Sequence, residues 1–225
     1  MSRVQRLVGS LVGKKVVMAA TSVVLLGFVL AHMAGNLKVF QGPEHFNAYA
    51  EGLRTVGAPF FGRGQLLWVA RIILLGSVGL HIWAAWAVTR ASWAARPDGY
   101  KRLDLIETTW AARTMRWGGV LIVLYVVYHL LDLTFGKANP SFVAGDVYHN
   151  LVASFSRTPV ALAYIAAVLV LAFHMYHGIY SAFQTLGLNH PKYNRWRRGL
   201  ALAYTLVVAG GFIAVPVAVL AGVVR

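Results

Sequence analysis

Apolar residues along this chain come in five long runs, at about 16–37, 65–88, 117–135, 159–183 and 199–223, with polar connections between them. Each run is near the ~20 residues that a helix needs to cross a ~30 Å hydrocarbon core, where a helix satisfies its own backbone groups. The pattern predicts an all-α integral membrane protein: a bundle of five transmembrane helices forming one membrane domain over 1–225. The first run follows Arg3, Arg6, Lys14 and Lys15, as the apolar part of a signal peptide would. It is long enough to span, however, and no convincing cleavage site follows it, so it reads as a retained first helix. No connection is large enough to fold as a soluble domain, and there is no internal repeat or low-complexity tract.

Positive charge orients the bundle. The N-terminal tail, the 89–116 connection and the 184–198 connection together hold 14 of the 21 Lys and Arg residues, and the opposite face holds seven. Cytoplasmic connections carry the excess of such residues, so the N-terminus is expected in the cytoplasm and the C-terminus outside. An odd number of spans requires the same difference. On the outer side, 46–51 and 147–152 are expected to form short helices lying at the interface.

Composition narrows the chemistry. The chain is 58% hydrophobic and 12% charged, against roughly 25% charged in soluble domains. Its formal charge of +14 is spread between apolar runs rather than gathered on a soluble face, so lipid is the expected partner and nucleic acid is not. The absence of cysteine excludes disulfides, thiolate-held iron–sulfur clusters and covalently attached c-type haem. Any redox cofactor must be held by His or Met.

Four histidines, His32, His81, His129 and His174, lie in four different runs. An imidazole at bilayer depth needs a partner for both ring nitrogens. At 1.5 Å per residue these four sit roughly 4 to 9 Å from the midplane, His32 and His129 in the outer half, His81 and His174 in the inner half. The matched depths pair His32 with His129 and His81 with His174. Each pair could clamp one haem iron between two imidazoles, and a six-coordinate iron favours electron carrying over ligand chemistry. A single packed, hydrogen-bonded histidine is the ordinary alternative at any one position, but four at paired depths fit it poorly. Zinc would favour His and carboxylate clustered at one depth. His177 stands three residues from His174 on the same helix face, and position favours neither as a ligand.

Other residues add less. Gly76 and Gly79 before His81, Gly35 after His32 and Gly178 after His174 would let a macrocycle approach the backbone, while Gly210-Gly211 reads as close helix packing. Asp132 could orient a neighbouring group. Arg113 and Arg116, at the inner mouth of the third span, would anchor the helix and, with haem present, suit its propionates. His45, His149 and His190 fall in connections. His149 could lie near a quinone headgroup, and Glu44, Glu51 and Asp146 could take part in protonation there, although an interfacial carboxylate is the default for each.

Several stretches together are similar to one family. They are Gly13-Lys14-Lys15 with Met18-Ala19-Ala20-Thr21, His32-Met33-Ala34-Gly35-Asn36-Leu37, Phe46-Asn47-Ala48-Tyr49-Ala50, and Arg113-Thr114-Met115-Arg116 followed by His129. A further one, Phe173-His174-Met175-Tyr176-His177-Gly178, continues into 181–187. The chain resembles, over nearly its whole length, the diheme cytochrome b membrane anchor of succinate:quinone oxidoreductases, respiratory complex II. The resemblance implies a five-helix anchor in the bacterial cytoplasmic membrane with two b haems, the inner on His81 and His174 and the outer on His32 and His129. It selects His174, followed four residues later by Gly178, over His177. It also implies an iron–sulfur subunit docked on the cytoplasmic face, a flavoprotein subunit that oxidises succinate, and a membrane quinone, menaquinone by association, as electron acceptor. Fumarate reductases use similar anchors. The rival readings are a b-type anchor of another membrane dehydrogenase and a haem-free transporter or structural membrane protein.

The orientation predicts a labelling pattern, which the cysteine-free sequence makes clean to read. In intact cells an impermeant maleimide should label Ser141→Cys but not Lys192→Cys until the membrane is permeabilised. The reverse pattern would invert the topology.

Overall fold

The computed structural model describes residues 9–95 and 110–225. Helix α1 (Leu11–Asn36) starts at Ser10, whose Oγ accepts from the Gly13 amide at 3.0 Å, and runs into a 3-10 turn, Leu37–Gln41. Gly42, at φ +93°, breaks the chain's direction, a conformation that glycine reaches without steric cost. Pro43 then opens α2 (Pro43–Thr55). The long α3 (Gln65–Ala94) follows, and α4 (Trp110–His129) passes into a wider π turn at Leu130–Thr134, where the Phe135 amide bonds the Leu130 carbonyl at 2.8 Å. Then come α5 (Val147–Phe155), α6 (Thr158–Thr185), a short 3-10 turn at Pro191–Tyr193, and α7 (Asn194–Leu220). Five of these helices are long and apolar enough to cross a membrane, and no strand occurs among the described residues. The two short helices expected in the connections are α2 and α5.

The bundle is apolar on the outside. Ile72, Leu75, Leu121, Leu124 and Leu206 are all more than half exposed, as expected where lipid tails are the solvent. Close backbone packing joins α1 to α3, α4 to α6, and α6 to α7. Gly211 lets α7 approach α1, because a Cβ there would overlap the Met33 thioether. Met33, Met175 and Val208 form a small buried cluster in mid-bundle.

A larger cluster lies at one end, the loop face, where Val39, Phe46, Leu151, Phe155, Tyr164 and Val219 bury one another. Polar contacts tie the two short helices together above it. The Asn47 side-chain Nδ2 donates to Asp146 at 3.0 Å, and the Tyr148 backbone amide donates to Asn47 Oδ1 at 3.1 Å. Asp146 also caps α5, accepting from the His149 amide at 2.9 Å. The His149 amide and then the Asn47 side chain hold this carboxyl below its ordinary value, because both bond the charged form. It is a structural, ionised cap, which leaves it poorly suited to giving and taking a proton.

Beneath this cap lies a fully buried carboxylate, Asp132, on the π turn. A charge at such a place is costly unless paired and hydrogen-bonded. Arg157, just before α6, bonds it at 2.7 Å. The Tyr164 hydroxyl donates to it at 2.9 Å, and the Ser154 hydroxyl donates as well. Arg157 also donates to the Ala138 carbonyl at 2.9 Å. Three segments, α5, α6 and the turn between them, thus converge on one side chain. Arg157→Met should therefore cost about 3 kcal/mol of stability, the cost of stranding a buried charge, as read by thermal unfolding of the solubilised protein. A loss below about 0.5 kcal/mol would mean that the pair behaves as an exposed one.

Candidate functional site

His32, His81, His129 and His174 meet in twos. The His32 and His129 rings lie 5.9 Å apart between centroids, at 86°, and the His81 and His174 rings lie 6.3 Å apart, at 61°. The first pair joins α1 to α4 and the second joins α3 to α6. These are not the helix pairs that pack closely by backbone, so the imidazoles reach toward each other across helices that otherwise stand apart. Among the described residues no three His, Asp or Glu side chains gather to hold a metal ion by themselves.

Around the pair nearer the loop face the surroundings are aromatic. Phe28 stacks on His32 at 5.3 Å and 13°, and Phe212 lies 5.8 Å from it. Tyr125 and Tyr164 each lie 5.9 Å from His129. Tyr164 is the tyrosine whose hydroxyl bonds Asp132. Asp132 therefore bears on His129 through a tyrosine ring, and sequence spacing alone could not show this because Tyr164 is 32 residues away.

The second pair has hydroxyls beside it. The Nδ1 atom of His81 lies 3.3 Å from Thr21 Oγ1 and 3.5 Å from Ser22 Oγ. Both hydroxyls donate to backbone carbonyls of the preceding turn: Thr21 to Val17 and Met18 at 2.8 and 3.0 Å, Ser22 to Met18 at 2.7 Å. With their protons committed, these oxygens are left to accept, so His81 Nδ1 is the donor. The Nε2 lone pair is then bare on the other side of the ring, the tautomer that a metal requires. The residue types gave only a faint signal here, since Thr and Ser inside a membrane helix usually bond back to their own turn.

Two other ring nitrogens, Nδ1 of His129 and Nδ1 of His174, are buried with no protein partner. A buried polar atom left so costs about 1–3 kcal/mol. Two imidazoles facing each other across one metal at ~2.0–2.1 Å per bond would hold their centroids about 6.4 Å apart, near the observed 6.3 and 5.9 Å. The donor set and the spacing fit a metal centre held between the two imidazoles of each pair.

The remaining candidates separate clearly. His177 lies 3.0 Å from Ser181 by its Nε2, on the same helix, and makes no ring contact with His81. His45 and His149 are exposed, and His190 caps the turn at Lys192. Glu51 is ion-paired to Arg54 and Arg63, at 3.1 and 2.6 Å, and Glu44 is exposed. The Arg116 guanidinium sits over the Trp93 ring at 5.3 Å. The side chain of Arg113 lies outside the described residues. Gly35 serves a different contact from the one expected: a Cβ there would come within 2.8 Å of the Tyr49 hydroxyl, so it is needed for α2 to seat on α1. At Gly76, Gly79 and Gly178 a Cβ would meet no atom within 4 Å, so helix packing does not require glycine at those positions.

Neither a search of curated proteins nor one of solved structures returned a match. A family model described as "Succinate dehydrogenase/Fumarate reductase transmembrane subunit" matches residues 99–215, just over half of the chain, including the helices that carry His129 and His174. With five membrane-crossing helices and this match, the chain belongs to the family of transmembrane subunits of succinate dehydrogenase and fumarate reductase, an integral, multi-pass membrane protein.

Proposed function

We propose that this chain is the membrane-anchor cytochrome b of a succinate dehydrogenase. In this reading it binds two b haems and passes electrons from an iron–sulfur subunit to a membrane quinone, menaquinone by preference. The observation that carries the proposal is the pairing of His32 with His129 and of His81 with His174, at 5.9 and 6.3 Å, in a chain of this family.

His32 and His129 would hold one haem, and His81 and His174 the other. A b haem at each pair supplies an iron centre that takes and gives one electron. The chain's own residues do the rest. The hydroxyls of Thr21 and Ser22 orient His81 and set its tautomer. The Asp132–Tyr164 contact holds an aromatic wall against His129. With both imidazoles of a pair holding it, such a centre would suit electron carrying rather than oxygen chemistry. The rings of Phe28, Phe212 and Tyr125 keep water from the pair nearer the loop face.

In this reading the N-terminus and the basic connections face the cytoplasm, as the excess of Lys and Arg there supports, and the iron–sulfur subunit and, through it, the flavoprotein subunit would dock on that side. Arg116 is anchored by Trp93 and, with Arg113, remains our candidate partner for a haem propionate. Succinate itself would meet only the flavoprotein subunit. The family name covers both directions, and we assign succinate oxidation as the physiological one.

Single substitutions test the pairs. In the purified complex, His129→Ala and His174→Ala should each remove one of two b-haem contributions from the reduced-minus-oxidised spectrum, and the double variant both. Intact helical circular dichroism would exclude simple unfolding. Full retention of both contributions in either single variant would contradict the assignment. Thr21→Val with Ser22→Ala should weaken retention of the His81/His174 haem about 10- to 100-fold, the usual cost of removing an orienting partner. It should leave the other haem in place, and equal loss of both would argue against the orienting role.

A further inference from the structure

The loop face carries seven of the chain's 21 basic residues, the minority share. Three of them, Arg54, Arg63 and Arg71, line one recess of about 290 Å³ together with Gly64, Leu67 and Trp68. We propose that this recess binds the phosphate of an anionic phospholipid in the leaflet on that face.

Depth supports the assignment first. Helix α3 has 30 residues, about 45 Å at 1.5 Å per residue, against a ~30 Å hydrocarbon core. Roughly five residues at each end therefore lie among the headgroups. Arg71, the seventh residue of the helix, stands at the boundary between headgroup and acyl chain, with Trp68 one turn above it. Trp at this level marks the interfacial belt. The Arg71 guanidinium lies over the Trp68 ring at 4.9 Å, which fixes its plane before any ligand arrives.

Charge supports it next. Glu51 is paired with both Arg54 and Arg63, and no carboxylate among the described residues pairs with Arg71. Three arginines against one glutamate leave the recess at a net charge of +2. Three guanidinium groups offer about 15 N–H donors, and one carboxylate accepts about four. The unused donors are arranged in the fork that matches phosphate oxygens. The chain positions them well: the Gly64 amide bonds the Arg54 carbonyl at 2.6 Å, tying α2 to the start of α3. Leu67 and the open face of Trp68, 59% exposed, offer an apolar flank for the glycerol and upper acyl chain. A free anion would have no use for that flank, so a lipid is the better fit.

The test uses the purified complex, stripped of lipid in neutral detergent and titrated with phosphatidylglycerol or phosphatidylcholine while bound lipid is counted by native mass spectrometry. Phosphatidylglycerol should bind at one saturable site, and phosphatidylcholine more weakly. Arg71→Gln and Arg63→Gln should each lower the phosphatidylglycerol affinity about fivefold, the effect expected of one basic residue near an anionic lipid. Arg71→Lys should fall between Arg71→Gln and wild type, because it keeps the charge and loses the fork. Lys137→Gln, an exposed basic residue of the same face, should change nothing. Unchanged affinity in both arginine variants, or an equal loss in Lys137→Gln, would overturn the proposal. Full displacement of the lipid by inorganic phosphate, beyond a chloride control at the same ionic strength, would also overturn it in favour of a free-anion site. Unchanged melting temperatures in the lipid-free variants would keep misfolding out of the comparison.

Discussion

An imidazole nitrogen inside hydrocarbon has no water to bond, and that cost organises the centre of this bundle. Four histidines on four spans come together in pairs, and His129 and His174 each still carry a buried Nδ1 with no protein partner. Each pair links two helices whose backbones do not pack closely, while the close contacts run between other helices. Lipid tails attract apolar side chains no less than a neighbouring helix does, so helix association in membranes depends on packing and polar contacts. Among the described residues, the polar groups that join these helices include the histidine pairs, the hydroxyls beside His81, the Asp132 network and the Tyr204 hydroxyl, which donates to the Leu26 carbonyl.

The loop face shows how a local sequence choice reaches the site. The π turn follows directly on His129 and places Asp132 in the interior, the kind of local widening often found at functional positions. Arg157, Ser154 and Tyr164 then converge on the carboxylate from α5, α6 and the turn between them. Tyr164 is buried by this contact and lies against His129. The cap formed by Asn47 and Asp146 covers the same end. Stability and site geometry are thus carried by one set of residues, and a substitution there should disturb both.

Much of the architecture was legible in the sequence because helices in a membrane are regular. Length and hydropathy mark five spans, and a fixed rise per residue converts position into depth, which is why the depth argument and the ring contacts select the same histidine partners. Contacts made by convergence were not legible. Arg157 reads as one more basic residue in a connection, and nothing local says that it meets a carboxylate 25 positions earlier. Thr21 and Ser22 look like ordinary helix residues until His81, about 60 positions later, is seen beside them. Gly35 reads as room for a macrocycle, and nothing local says that Tyr49 packs against it. Helix rotation and the approach of distant segments decide these cases, and periodicity carries no information about either.

The central claim is that each histidine pair holds one b haem. Its most direct test is the pyridine hemochrome of the purified complex, expressed as haem per copy of this chain. The account predicts two b haems per chain. A value of one would mean that a pair is wrongly assigned, and a complex with its partner subunits intact but no haem would contradict the electron-carrying account altogether.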